Sequence, residues 1–123
     1  MSAGSIDVRM KRAYEPAEPA DGYRVLIDRL WPRGVSRERA KLDEWDRDLA
    51  PSTGLRQWFG HEPDRFEEFR RRYREELGDH RPALARLRRR ARGETLTLVF
   101  SAKDTEHNDA VVLVEALRRG LPR

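Results

Sequence analysis

YRVLIDRLWPRG, residues 23–34, decides the fold. Val25, Leu26 and Ile27 are consecutive apolar residues, which in a short run means that both faces of a strand are covered, as at the centre of an α/β sheet. The spacing predicts a strand over Tyr23–Trp31, stopped by Pro32 and Gly34. Asp28, Arg29, Trp31 and Arg33 therefore gather where an apolar strand runs out.

Working outward, alternation at Ile6–Met10 predicts a short strand, and the Pro-punctuated segment Tyr14–Gly22 a loop. Ser36 is placed to cap a helix through Arg37–Leu42, since its side-chain oxygen can accept from an orphan N–H of the first turn. Asp43, Trp45 and Leu49 suggest a further helical turn or two before Pro51. Ser52 or Thr53 can cap the next helix, in which Leu55, Trp58 and Phe59 share one face.

A longer helix is expected over Asp64–Leu77, with Phe66, Phe69, Tyr73 and Leu77 as its apolar stripe and Glu67–Arg71 and Glu68–Arg72 as i, i+4 pairs opposite. Another spans Pro82–Arg92, capped by Gly93. Thr95–Phe100 reads as a second good strand, SAKDTEHND as a loop, and Asn108–Arg119 as a closing helix with a wide apolar arc. Helices between and after strands predict one α/β domain over residues 1–123, three layers deep, with a small and mostly parallel sheet flanked by helices.

The composition removes several classes of function. None of the 123 residues is Cys, which excludes a disulfide framework, a thiol nucleophile and Cys-ligated metal. No apolar run reaches the ~18 residues of a membrane span, and MSAGSIDVRM lacks the apolar core of a leader, so a cytoplasmic protein with no membrane partner is expected. Lys and Arg number 26 against 22 Asp and Glu, a net charge of only +4.

Two loops carry the residue types of a site. In WPRGVS, a helix N-terminus would meet the guanidiniums of Arg29 and Arg33 beside Trp31, Gly34 and Ser36, a cradle suited to an oxyanion. It is neither a GxxxxGK[ST] nor a GxGxxG loop. SAKDTEHN follows the other good strand; if the two strands are parallel neighbours, their loops converge at the carboxyl edge of the sheet, where open α/β sheets bind ligands.

Ser101, Lys103, Asp104, His107 and Asn108 would then supply a hydroxyl, a point charge, an orienting carboxylate, a titratable base and an amide. The plainer alternative is that Asp28 neutralises the arginines and that Asp104 or Asn108 merely caps a helix. His61, His80 and His107 form no HxxxH or HExxH pattern, so no metal centre is expected and no cofactor is named. Arg81–Arg92 holds six arginines and no acid, and Arg86, Arg89 and Arg90 offer an alternative, a phosphate-tracking face for nucleic acid.

In order and spacing, RVLIDRLWPRG, KLDEW, LAPS, LRQWFGH, FRRRYREEL and SAKDTEHNDAVVLVEAL resemble the YeaO-like members of the domain-of-unknown-function 488 family, over about Ile6–Leu117. The resemblance implies a single compact α/β domain of uncharacterised function. Its motif residues here are Asp28, Arg29, Leu30, Trp31, Pro32, Arg33, Gly34, Lys103, Asp104, His107 and Asn108, with Arg56, Trp58 and His61 from LRxWFxH. Other branches carry a Cys-and-His element near the C-terminus that this chain lacks, so no thiol activity carries over.

Together these features lead to the expectation of a pocket for a small anionic ligand, a phosphate, nucleotide or carboxylate, lined by Arg29, Trp31, Arg33, Gly34, Ser36, His61, Ser101 and Asn108. Any hydrolase or transferase chemistry there would fall to His107, Lys103 and Asp104. A non-enzymatic interaction protein, in which these motifs only tie loops together, is a further alternative.

Overall fold

The computed structural model describes residues 6–121; residues 1–5 and 122–123 of the domain expected over 1–123 lie outside them. Strands β1 (Val8–Arg12), β2 (Tyr23–Leu26), β3 (Glu44–Trp45) and β4 (Leu96–Phe100) form one sheet in the order β1-β4-β2-β3, with every pair parallel. Helices are α1 (Arg37–Ala40), α2 (Thr53–Phe59), α3 (Phe66–Leu77), α4 (Arg81–Gly93) and α5 (Asp109–Arg119).

All five residues of β4 are buried, because β4 is central and both its faces are covered. Leu96, Leu98 and Phe100 join Val25 and Ile27 in the main core, closed by the stripes of α3 (Phe66, Phe69, Tyr73, Leu77), α4 (Leu84, Leu87, Ala91) and α5 (Leu113, Leu117). Burial of each such side chain contributes about 1.5–3 kcal/mol. Leu26 and Val99 point the other way, into a smaller cluster with Ala13, Trp31, Leu42 and Trp45. The α/β layering expected from the sequence is present, with the second face covered by one-turn α1 and its loops.

A buried polar network lies beneath that thin cover. Arg24, 3% exposed, donates from Nε and Nη2 to the Ala40 carbonyl and from Nη1 to Asp21, which also accepts from Lys11 and from the Glu18 backbone N–H. Every charge there has an opposite partner or a carbonyl, as burial requires. Gly22 sits at φ +64°, and a Cβ there would lie 2.2 Å from the Thr95 carbonyl oxygen, so only glycine lets β2 start against β4.

Some boundaries differ from the sequence reading. Instead of a helical turn around Asp43–Leu49, Glu44 and Trp45 pair with Val25 and Leu26 as an edge strand, followed by one 3-10 turn at Arg47–Leu49. The first strand runs Val8–Arg12 rather than Ile6–Met10. β2 ends at Leu26; the Ile27 N–H still donates to the Val99 carbonyl, and Asp28 begins the loop. The charges of LIDRLWPRG thus stand beyond the strand, at its carboxyl end.

Candidate functional site

β2 and β4 are parallel neighbours, which brings the loops that follow them to the same edge of the sheet. After β2 the chain passes to the face covered by α1, and after β4 to the opposite face, where α5 packs. Two connections leaving adjacent strands in opposite directions open a crevice between them. The crevice is a cavity of about 330 Å³ lined by residues of both loops and of α2, including Asp28, Arg29, Arg33, Arg56, His61 and Asp109.

Its floor is made by carboxyl groups. Asp28 Oδ2 accepts from the Ser101 backbone N–H at 2.8 Å and from its hydroxyl at 2.7 Å, tying the end of β2 to the end of β4. The Asp28 carbonyl accepts from Trp45 Nε1 at 2.7 Å. Asp109, the first residue of α5, faces Asp28; burial first, then the Asp28 charge and the hydrogen bond between the two, hold its carboxyl well above the ordinary carboxylate range. The pairing with Asp28 thus favours the neutral, protonated form of the Asp109 carboxyl.

The walls carry the opposite sign. Arg29 is half-buried; its Nε has no hydrogen-bond partner, and its Nη2 meets only the Pro51 carbonyl, at 3.4 Å. Arg33 and Arg56 are exposed. Among the described residues none of these three guanidiniums lies within ion-pair distance of a carboxylate, whereas Arg24, Arg70, Arg71, Arg72, Arg86 and Arg90 all do. Asp28 is committed to Ser101 and Asp109, so it does not neutralise the arginines.

The WPRG turn is rigidly held. Trp31 Nε1 donates to the Val35 carbonyl at 2.6 Å, its ring meets Trp45 edge-on at 5.4 Å, and the Arg37 guanidinium covers it at 4.9 Å. Gly34, at φ +79°, supplies the left-handed residue of the turn, and the Tyr14 hydroxyl donates to the Arg33 carbonyl. His61 lines the cavity from a left-handed position, φ +59°, just past α2.

Of the expected ligand-binding residues, the fold brings Arg29, Trp31, Arg33, His61, Ser101 and Asn108 to the cavity. Gly34 and Ser36 stand outside its walls: Ser36 Oγ accepts from Arg39 N–H and caps α1. Asn108 also caps α5, accepting from Val111 N–H, and donates to the Asp104 carbonyl.

Lys103, Asp104 and His107, the expected catalytic group, do not line the cavity. The physical reason is the loop's own hydrogen bonding. Asp104 accepts from the Glu106 and His107 backbone N–H groups and from His107 Nδ1 at 2.9 Å, bonds that lower its pKa, with Glu106 the first cause. The His107 ring stands edge-on to Phe66 at 5.2 Å, and Lys103 is exposed. These side chains close the loop and seat it on α3.

Asp109, Arg56 and Tyr14 line the cavity although the sequence-derived site omits them. Arg56 had a signal, since LRxWFxH places it one helical turn ahead of Phe59, another wall residue. On the α4 face, Arg86 makes a bidentate pair with Glu44 and reaches Asp46, and Arg90 pairs with Glu94 over the Tyr23 ring. Arg89 alone of that alternative trio is exposed with no acid beside it. No three His, Asp or Glu side chains among the described residues converge as metal ligands.

This is a small α/β domain with a cationic cavity at the carboxyl ends of two adjacent parallel strands. The chain belongs to the DUF488 family, matching the description "Inactive DUF488-N3 subclade" over residues 7–123. It is 46% identical over 113 residues to the uncharacterized protein YeaO of Escherichia coli K12, spanning 92% of this chain and 98% of that protein. It is 43% identical over 110 residues to the uncharacterized proteins Mb3100c of Mycobacterium bovis and Rv3073c of Mycobacterium tuberculosis, spanning 89% of this chain and 92% of each. The YeaO-like resemblance drawn from the motifs is thereby confirmed. No solved structure matches the chain. No helix among the described residues is long and apolar enough to cross a membrane.

Proposed function

We propose that this chain binds a small anionic ligand, a phosphate, nucleotide or carboxylate, in the strand-end cavity, and holds it without turning it over. One observation carries the reading: Arg29, Arg33 and Arg56 line a single cavity, and among the described residues no carboxylate comes within ion-pair distance of them. Asp28 and Asp109 line the same cavity, and the raised pKa of Asp109 limits the negative charge set against the three arginines. An anion would give the exposed guanidiniums of Arg33 and Arg56 the partner that no carboxylate supplies. At about 330 Å³ the cavity sits near the lower end of the size range of ligand sites.

Binding is favoured over chemistry for two reasons. Lys103, Asp104 and His107 lie off the cavity, and the His107–Asp104 pair faces its own loop. The subclade description, "inactive", points the same way.

The test is calorimetry of the full chain with inorganic phosphate, pyrophosphate, nucleoside monophosphates and di- and tricarboxylates. At least one of these should bind. A hydrogen bond to a charged group contributes about 1.5–3 kcal/mol, so Arg33→Ala or Arg56→Ala should weaken that anion roughly tenfold or more. Absence of binding across the panel, or variants that bind like the parent, would defeat the proposal.

A further inference from the structure

Around the cavity mouth the surface is unlike that of a pocket built for a free metabolite. Leu30, 61% exposed, and Tyr14, 40% exposed, are the two exposed large hydrophobic residues among those described, and both stand on this rim. Among the described residues the other large apolar side chains are buried or half-buried, so the exposure of Leu30 is confined to this mouth. Beyond the walls, Arg37, Arg39 and Lys41 follow on α1 and its C-cap; all are exposed, and none has an acid within ion-pair distance. A small anion filling the cavity would leave Leu30 bare and these three cations unneutralised.

We infer that the mouth is a docking surface for an acidic polypeptide segment, which sends a carboxylate between Arg33 and Arg56, rests an apolar side chain on Leu30, and runs further acidic residues along Arg37, Arg39 and Lys41. This rests on the anion-binding reading of the cavity and names the partner that supplies the anion. Charge complementarity selects the occupant: exposed cations stand on both the cavity wall and α1 with the apolar Leu30 on the rim, which fits a segment that interleaves Asp or Glu with Leu, Ile or Phe. The same collar suits nucleic acid less well. Base stacking needs open ring faces, but the Arg12 guanidinium covers the Tyr14 ring at 5.0 Å, and Arg37 and Trp45 cover Trp31.

The experiment pans a displayed library of random dodecapeptides against the full chain and measures the enriched peptides by fluorescence anisotropy. The enriched sequences should carry carboxylates on both sides of an aliphatic or aromatic residue, and their affinity should fall as salt rises. Leu30→Ser should weaken the best peptide at least tenfold; Leu30 is solvent-exposed, so the fold is not at stake. Arg39→Ala with Lys41→Ala, neither in the cavity wall, should weaken the peptide at least fivefold while changing inorganic phosphate affinity less than twofold.

Enriched peptides without acidic residues, or unaltered peptide binding by Leu30→Ser, would overturn the inference, as would tighter binding of a twelve-nucleotide single strand than of any peptide. If phosphate binds and no peptide does, the docking inference alone fails. If neither phosphate nor any other small anion binds, the underlying reading of the cavity fails with it.

Discussion

Replacing Asp28 separates its structural role from its electrostatic one. Its Oδ2 accepts two hydrogen bonds from Ser101, at 2.8 Å and 2.7 Å, joining the ends of β2 and β4. Asp28→Ala removes both, and each bond to a charged acceptor contributes about 1.5–3 kcal/mol. The substitution also removes the charge and the hydrogen bond that raise the Asp109 pKa. The net expectation is a loss of about 3 kcal/mol, or roughly 10 °C in Tm for a domain of this size. Asp28→Asn keeps an acceptor for Ser101 and an N–H for Asp109, so it should cost about 1 kcal/mol or less. Urea unfolding followed by tryptophan fluorescence measures both. Equal losses in the two variants, or a loss below about 0.5 kcal/mol in Asp28→Ala, would refute the pin between strand ends.

The remaining predictions concern protonation and the core. Asp109 has a raised carboxyl pKa in the folded chain, because burial and Asp28 oppose its ionisation, so the folded state holds a proton that the unfolded chain releases. Its contribution to stability therefore falls as pH rises from the ordinary carboxylate value near 3.8 through the raised folded value, and Asp109→Asn should flatten that decline and stabilise the chain at neutral pH. A pH series of urea midpoints checks this; an unchanged slope in the variant would contradict the shared proton. Tyr73, fully buried on α3, donates its hydroxyl to the Leu49 carbonyl. Tyr73→Phe strands that carbonyl and should cost about 1–3 kcal/mol in the same assay, with the fold retained.

Periodicity made the helices legible. The stripe Phe66, Phe69, Tyr73, Leu77 lies in the main core, and the consecutive apolar residues of β2 and β4 are covered on both faces, as such runs require. β3 was not legible, because two residues carry no period, and Glu44 and Trp45 are extended only through pairing with Val25 and Leu26. The same limit applied at the site. Residue type placed Arg29, Arg33 and His61 in the cavity, but could not show whether Asp104 and His107 face a ligand or their own loop. Short-range hydrogen bonds to Glu106 and His107 N–H decided that. Asp109 went unread because an acid in the first turn of a helix fits its dipole; only the tertiary approach of Asp28 gives it a second role.

Crystals of the full chain soaked in selenate, a phosphate-shaped anion with an anomalous signal, test the central claim most directly. The account predicts an anomalous peak inside the cavity bounded by Arg29, Arg33 and Arg56, lost in the Arg33→Ala, Arg56→Ala double variant. An empty cavity with selenate bound instead along α4, beside Arg89, would contradict it.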